Sequence, residues 1–269
     1  MPSPPCTLDT LCRAHGSARR EHLDALYQFF NHRDYRSGDP VSFVWRYSTP
    51  NDRGVAAWMA ASLAYGRVAG ILKALDDLAQ RWENQPYAFL SQASEQEMRD
   101  ALRGFVYRWT RGEHVLGMLL AWRTLEQTPA LPEQIAAHPQ GYRPALGALR
   151  QQLLTSLPAD PGHLFPNPDG PGACKRLAMW LRWMVRNDEI DPGLWAGRLD
   201  PAKLWIPLDT HMFRIARQLR LTQRNQSDGE ASRRITASFA RMNPVDPLKY
   251  DFAITRLGMA NSEYRQNQF

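Results

Sequence analysis

The sequence predicts an all-α fold. Three observations carry that expectation: apolar residues recur at helical spacing along most of the 269 residues, these stretches open on cap chemistry, and only Val41–Trp45 looks remotely strand-like. Thr49-Pro50-Asn51-Asp52 supplies an N-cap, a proline at the first helical position and an acid in the first turn. Val55, Met59 and Leu63 follow at helical spacing, so a helix is expected to run to about Tyr65. Gly66 interrupts it, and Val68, Ile71, Leu72, Leu75, Leu78, Ala79 and Trp82 form the next apolar face. Ser94 with Glu97 makes a capping box ahead of a short helix. Val115, Leu116, Leu119, Trp122 and Leu125 line a further one, and Pro144 starts the segment holding Leu146, Leu149 and Leu153. After a Pro/Gly-rich loop over Leu157–Gly172, a helix is expected from about Ala173 with Leu177, Trp180, Leu181 and Met184 inward. Two more follow at Asp209–Leu219 and Asp228–Met242, and Asp246-Pro247 opens the last, ending near Gly258. Residues 1–14 read as a loose tail and 15–269 as a single helical unit without internal repeats.

With 43% apolar and 22% charged residues, the chain can bury a sizeable core. Its 33 cations outnumber 27 anions, and all but Lys73, Lys175, Lys203 and Lys249 are arginines. Residues up to 169 carry 17 charges of each sign, whereas 170–269 carry 16 cations and 10 anions. The chain therefore divides into a neutral part, 15–169, and a basic part, 170–260. Such asymmetry points to an anionic partner, nucleic acid ahead of membrane, because a basic membrane-surface helix would also show a strong apolar face. The longest strongly apolar stretch without Asp, Glu, Lys or Arg, His114–Trp122, is too short to span a bilayer, and MPSPPCTLDT lacks a signal-peptide pattern. A cytoplasmic protein is expected. Cys6, Cys12 and Cys174 are odd in number and lack metal-ligand spacing, so they read as reduced thiols. None of the seven histidines forms an HExxH-like pattern, and no metal or other cofactor is implied.

Two segments could carry chemistry. In Asn167-Pro-Asp-Gly-Pro-Gly-Ala-Cys-Lys175-Arg176, glycines directly before a helix leave backbone N–H groups free for a phosphate. Composition alone favours an ordinary Pro/Gly turn, and a Walker A loop is excluded because Cys174 and Arg176 flank Lys175. Lys175 is a solvated surface cation or, beside Arg176 and a helix N-terminus, an amine able to lose its proton and attack carbon, which arginine cannot do. In Ile206-Pro-Leu-Asp209-Thr210-His211-Met-Phe-Arg214, Asp209 is a helix N-cap worth roughly 1 kcal/mol or a carboxylate placed to stabilise developing positive charge. Thr210 and His211 then orient it or contact a phosphate, although most such histidines are structural. A helix over Ala173–Arg186 is on the order of 20 Å long, a distance that residues 187–208 can cover on the way back. Trp45, Trp58, Tyr65, Tyr107, Trp109 and Trp183 have flat faces of the kind that hold a flipped base, while most of the nine tryptophans are expected in the core.

These residues resemble a known superfamily. Asp209-Thr210-His211 with Arg214 looks like the aspartate motif of the HhH-GPD superfamily of base-excision DNA glycosylases. From about Leu26 to Met259 the chain is similar to a bacterial domain family of unknown function within it. The segments that carry the similarity are Asp39-PVSFVWRYSTPNDRGVAAWMAASLAYGR ending at Arg67, Phe105-VYRW, Ala173-CKRLAMWLRWMVR, Ile206-PLDTHMFRIARQL and Asn243-PVDPLKYDFAITRLG. The archaeal 8-oxoguanine glycosylases are the characterised relatives it most resembles. Lys175 lies three residues after Gly172, where the usual hairpin has two, and the cysteine cluster of some relatives is missing.

The resemblance implies a two-lobed helical architecture with a cleft between the lobes, and a monomer that acts in the nucleoid on double-stranded DNA holding a damaged base. It implies a DNA glycosylase with AP lyase activity on an oxidised purine such as 8-oxoguanine. Lys175 and Asp209 are the implied catalytic residues, and Gly170, Gly172, Arg176, Thr210, His211 and Arg214 the implied phosphate ligands. Trp45, Trp58, Tyr65, Arg67 and Trp183 are the candidates for the base pocket. Two alternatives stay open: a monofunctional glycosylase in which Asp209 directs water and Lys175 binds phosphate, and a non-catalytic DNA- or RNA-binding protein on the same scaffold.

Overall fold

A computed structural model describes residues 3–266, with side chains through Met259. Helix α1 (Leu8–Arg13) is capped by Thr7 and buries Leu11, so residues 8–13 of the expected loose tail form a helix. Residues 1 and 2 of that tail lie outside the described residues. Helix α2 (Gly16–Phe30) follows, and α3 (Val41–Val44) replaces the strand-like reading of Val41–Trp45. β-Branched valines there pack all their apolar area against the core in a single helical turn, and burial overrides strand propensity.

Helix α4 (Pro50–Ser62) starts as expected, with Thr49 accepting from the Asp52 amide at 3.1 Å and Pro50 at the first position. Every residue from Gly54 to Ser62 is buried, so beyond its first turn this helix has no solvent face. The chain turns at Gly66, whose φ of +89° few other residues adopt, into α5 (Val68–Arg81). Helices α6 (Pro86–Gln92) and α7 (Glu95–Ala101) follow, the latter opened by the predicted Ser94/Glu97 capping box. A short hairpin interrupts the helices: β1 (Val106–Tyr107) pairs antiparallel with β2 (Thr110–Arg111) through a two-residue turn at Arg108-Trp109. Helices α8 (Gly112–Gln127), α9 (Leu131–Ala137) and α10 (Tyr142–Ser156) lead to the loop that precedes α11 (Lys175–Val185). The last three are α12 (Thr210–Gln218), α13 (Gly229–Met242) and α14 (Asp251–Gln266). The final helix therefore starts later than Asp246 and continues past Gly258, whose small side lies against Ile215 of α12.

Two packing groups organise the chain. Helix α4 contacts α3, α6, α8 and α11, while α14 contacts α1, α2 and α12 and so brings the two ends of the chain together. Trp58 of α4 and Trp180 of α11 meet edge to face at 5.0 Å, and Ser62 of α4 meets Arg176 of α11. As α4 advances from 58 to 62, its α11 partners run back from 180 to 176. The two helices are antiparallel, and the C-terminal end of α4 lies beside the N-terminal end of α11. No helix among the described residues is long and apolar enough to cross a membrane.

Candidate active site

The start of α11 is built by the segment before it. Arg143 donates to the carbonyls of Pro168, Gly170 and Gly172 at 2.8, 3.1 and 2.6 Å, and the Gly229 amide donates to Pro171 O at 2.7 Å. The loop carbonyls thus turn toward the protein, and Gly172 lies exposed with open space on its side-chain side. Cys174 sits at the helix N-cap in the left-handed region, φ +50°, a conformation that costs roughly 1–2 kcal/mol for a non-glycine residue. Its thiol donates to Asn167 O at 3.2 Å. No side chain caps α11, so the amide groups of its first turn keep their positive potential beside Lys175.

Asp209 reaches this point from the other segment. Its Oδ1 accepts from the Met212 amide at 2.8 Å, and its Oδ2 lies 3.2 Å from Lys175 Nζ. The two readings of Asp209 are therefore both realised, one on each carboxylate oxygen. The Lys175 and Asp209 side chains are 32% and 23% exposed, accessible to a substrate yet partly shielded from solvent. Past Asp209, α12 turns Met212, Ile215 and Ala216 inward and leaves Thr210, His211, Arg214 and Arg217 on the solvent side. Arg214, Arg217 and Arg220 form no ion pair among the described residues, whereas Arg224 is held by Asp228.

Not every candidate joins the pair. Arg176, expected to hold phosphate, turns inward: Nη1 donates to Ser62 O at 3.0 Å and Nη2 to His163 O. Trp58 and Trp183, each 1% exposed, belong to the core rather than to a base pocket. Trp45 donates to Ile190 O at 2.8 Å, and the guanidiniums of Arg36 and Arg53 lie over its ring. Its partner Ile190 belongs to the segment that follows the C-terminal end of α11, and the two ends of that helix are on the order of 16 Å apart. Of the five pocket candidates, Tyr65 and Arg67 lie at the Lys175 end, because α4 runs antiparallel to α11. Tyr65 stacks on Trp109 with centroids 5.0 Å apart, the Arg176 guanidinium is 5.5 Å from its ring, and Arg67 is exposed and forms no ion pair among the described residues.

The sequence reading missed a buried charge network behind the pair. Arg182 bonds Asp191 at 2.8 Å and also Asp251; Arg186 bonds Asp188 at 2.9 Å, Asp246 at 3.0 Å and also Asp191. Burial opposes charge on both arginines, but these carboxylates outweigh it and hold both firmly protonated. Burial pushes the Asp251 carboxyl up to about 6; Arg182 opposes that shift and the nearby charge of Asp209 adds to it. One signal was present: Arg182 and Arg186 are spaced i, i+4 among Trp180, Leu181, Trp183 and Met184, where a cation needs a buried partner. No group of three or more His, Cys, Asp or Glu residues able to hold a metal occurs among the described residues.

Residues 39–260 match the family described as protein of unknown function (DUF2400). The chain belongs to that family. No curated protein and no solved structure matches this DUF2400 chain.

Proposed function

We propose that this DUF2400 protein is a DNA glycosylase with AP lyase activity, of the HhH-GPD type, acting on an oxidised purine such as 8-oxoguanine in duplex DNA. The single observation that carries the reading is the amine–carboxylate pair, Lys175 Nζ to Asp209 Oδ2 at 3.2 Å, half-open at the starts of two helices. Packing supports the reading too: α11 packs on α4 and α12 on α14, so Lys175 and Asp209 are supplied by helices with different main packing partners.

In the proposed reaction, a proton passes from the Lys175 ammonium to Asp209. The freed amine then adds to C1′ while the bond from C1′ to the base breaks, its electron pair leaving with the base. Asp209 returns the proton to the departing base nitrogen. The nitrogen bound to C1′ next gives a proton to O4′ as the C1′–O4′ bond opens, leaving a protonated imine. Loss of a C2′ proton expels the 3′ phosphate by β-elimination. Exposed Thr210, His211 and Arg214, and the uncapped first turn of α11, would hold the flanking phosphates.

Borohydride trapping on duplexes containing 8-oxoguanine or an abasic site tests this directly. Wild-type protein is expected to give a covalent adduct, and Lys175→Gln none. Base release without an adduct would move Lys175 to phosphate binding and leave Asp209 to direct water. Absence of both adduct and base release across a broad lesion panel would sink the enzymatic reading.

A further inference from the structure

The hairpin of β1 and β2 carries an aromatic surface that the proposed chemistry does not use. Val106, Trp109 and Val245 are the large apolar side chains most exposed among the described residues, and two of the three are on this hairpin. Trp109 occupies its two-residue tip and is 54% exposed. The tip is costly to form, since Arg108 adopts φ +55°. It is nevertheless well fixed. Trp109 stacks on Tyr65 at an interplanar angle of 21°, and the Tyr65 hydroxyl is bonded to Thr110 Oγ1 at 2.5 Å. His163 meets both rings edge on and lies 3.0 Å from Thr110 Oγ1. A tryptophan that served only the core would not be held with half its surface in water.

The charges around it have one sign. Arg67, Arg108 and Arg111 are all exposed and none is ion-paired among the described residues. The Arg108 guanidinium lies 4.7 Å from the Trp109 ring centroid. Glu113, two residues beyond Arg111, is bonded by Arg99 at 2.5 Å. Exposed indole with unpaired guanidiniums matches a ligand that has both a flat π-face and an anionic backbone, which is the chemistry of a nucleic-acid strand with a base out of its stack.

We propose that Trp109, backed by Tyr65, is a stacking platform for an unpaired nucleobase, with Arg67, Arg108 and Arg111 on the adjoining phosphates. The proposal rests on the nucleic-acid part of the function above, not on its chemistry. It places a second contact at the Lys175 end of α11, where Arg176 joins Tyr65 to the active-site helix.

Fluorescence anisotropy of the full chain tests it, using a labelled duplex with one bulged adenine against the fully paired duplex. Wild type is expected to bind the bulged duplex more tightly, and Trp109→Ala to lose about tenfold of that preference. Trp109→Phe retains most of it, whereas Trp109→Leu, apolar without a π-face, does not. Equal binding of the two duplexes by wild type, or a preference that survives Trp109→Leu, overturns the platform. So does a wild-type dimer in sedimentation that Trp109→Ala dissociates, which would assign this face to a second copy of the chain. A Trp109-dependent preference without base release on any lesion leaves the platform standing and removes the glycosylase reading. Base release without such a preference does the reverse.

Discussion

Asp209 touches Lys175 with one carboxylate oxygen while the other caps α12. Structure and proposed chemistry are thereby separable by substitution. Asn keeps the cap, since it serves as well as Asp at that position, but cannot exchange a proton. Asp209→Asn is expected to melt within about 0.5 kcal/mol of wild type, and Asp209→Ala to lose about 1 kcal/mol. Base release should fall about 10²- to 10⁴-fold in both. Thermal melts beside a single-turnover assay check this, and an Asn variant with wild-type turnover refutes the role of Asp209.

The network behind the site makes Asp191 the most consequential acid for stability. Fully buried, it bonds both Arg182 and Arg186. Asp191→Ala leaves two guanidiniums short of a partner in the core, which is expected to cost about 3–5 kcal/mol in urea unfolding. A loss below 1 kcal/mol would show that water or neighbouring acids replace it.

Asp251 gives a pH dependence of defined sign. Its folded carboxyl titrates near 6, above the ordinary value of 3.8, so the folded state holds this proton more tightly than the unfolded chain. The resulting stabilisation is fully present below about 3.8 and is lost as pH rises through about 6. Asp251→Asn cannot lose that proton, so its stability relative to wild type should rise across the same window. Chemical denaturation at pH 4, 5, 6 and 7 measures the difference. A constant difference would contradict the assignment.

Gly117 is required by packing rather than by backbone conformation. A Cβ there would come within 2.5 Å of Pro161 N and 2.8 Å of Ala159 O, both backbone atoms that cannot rotate away. Gly117→Ala is expected to destabilise by about 1–3 kcal/mol, read from the melting temperature.

The helical class was legible because caps and periodicity agree: Thr49-Pro50, Ser94/Glu97, Asp209 and Asp228 all cap the helices they announce. Lys175 and Asp209 could be named from residue type and helix-start placement, and their meeting was possible by chain length. What sequence could not order was the contest for surface. Trp58, Trp183 and Tyr65 are alike as residues, and only the antiparallel seating of α4 on α11 decides that the tryptophans fill the core while Tyr65 reaches the Lys175 end. The inward turn of Arg176 is hidden for the same reason: its carbonyl partners, Ser62 and His163, come from distant parts of the chain. The strand-like Val41–Trp45 formed a helix and the hairpin at 106–111 was not foreseen, since both are too short for period to outweigh context.

The buried arginine–aspartate network ties α11 to the first turn of α14, and α14 in turn supports α12. Lys175 and Asp209 are thus fastened to each other from behind, by charges that mobile ions scarcely reach. Exposed Arg67, Arg108, Arg111 and Arg214 have no such protection, so if the proposed function holds, raising ionic strength strips the nucleic acid from the surface while the amine and the carboxylate stay in register. Salt then acts on occupancy alone, and a protein washed free of a bound polyanion at high salt would bind it again on dilution without having to refold.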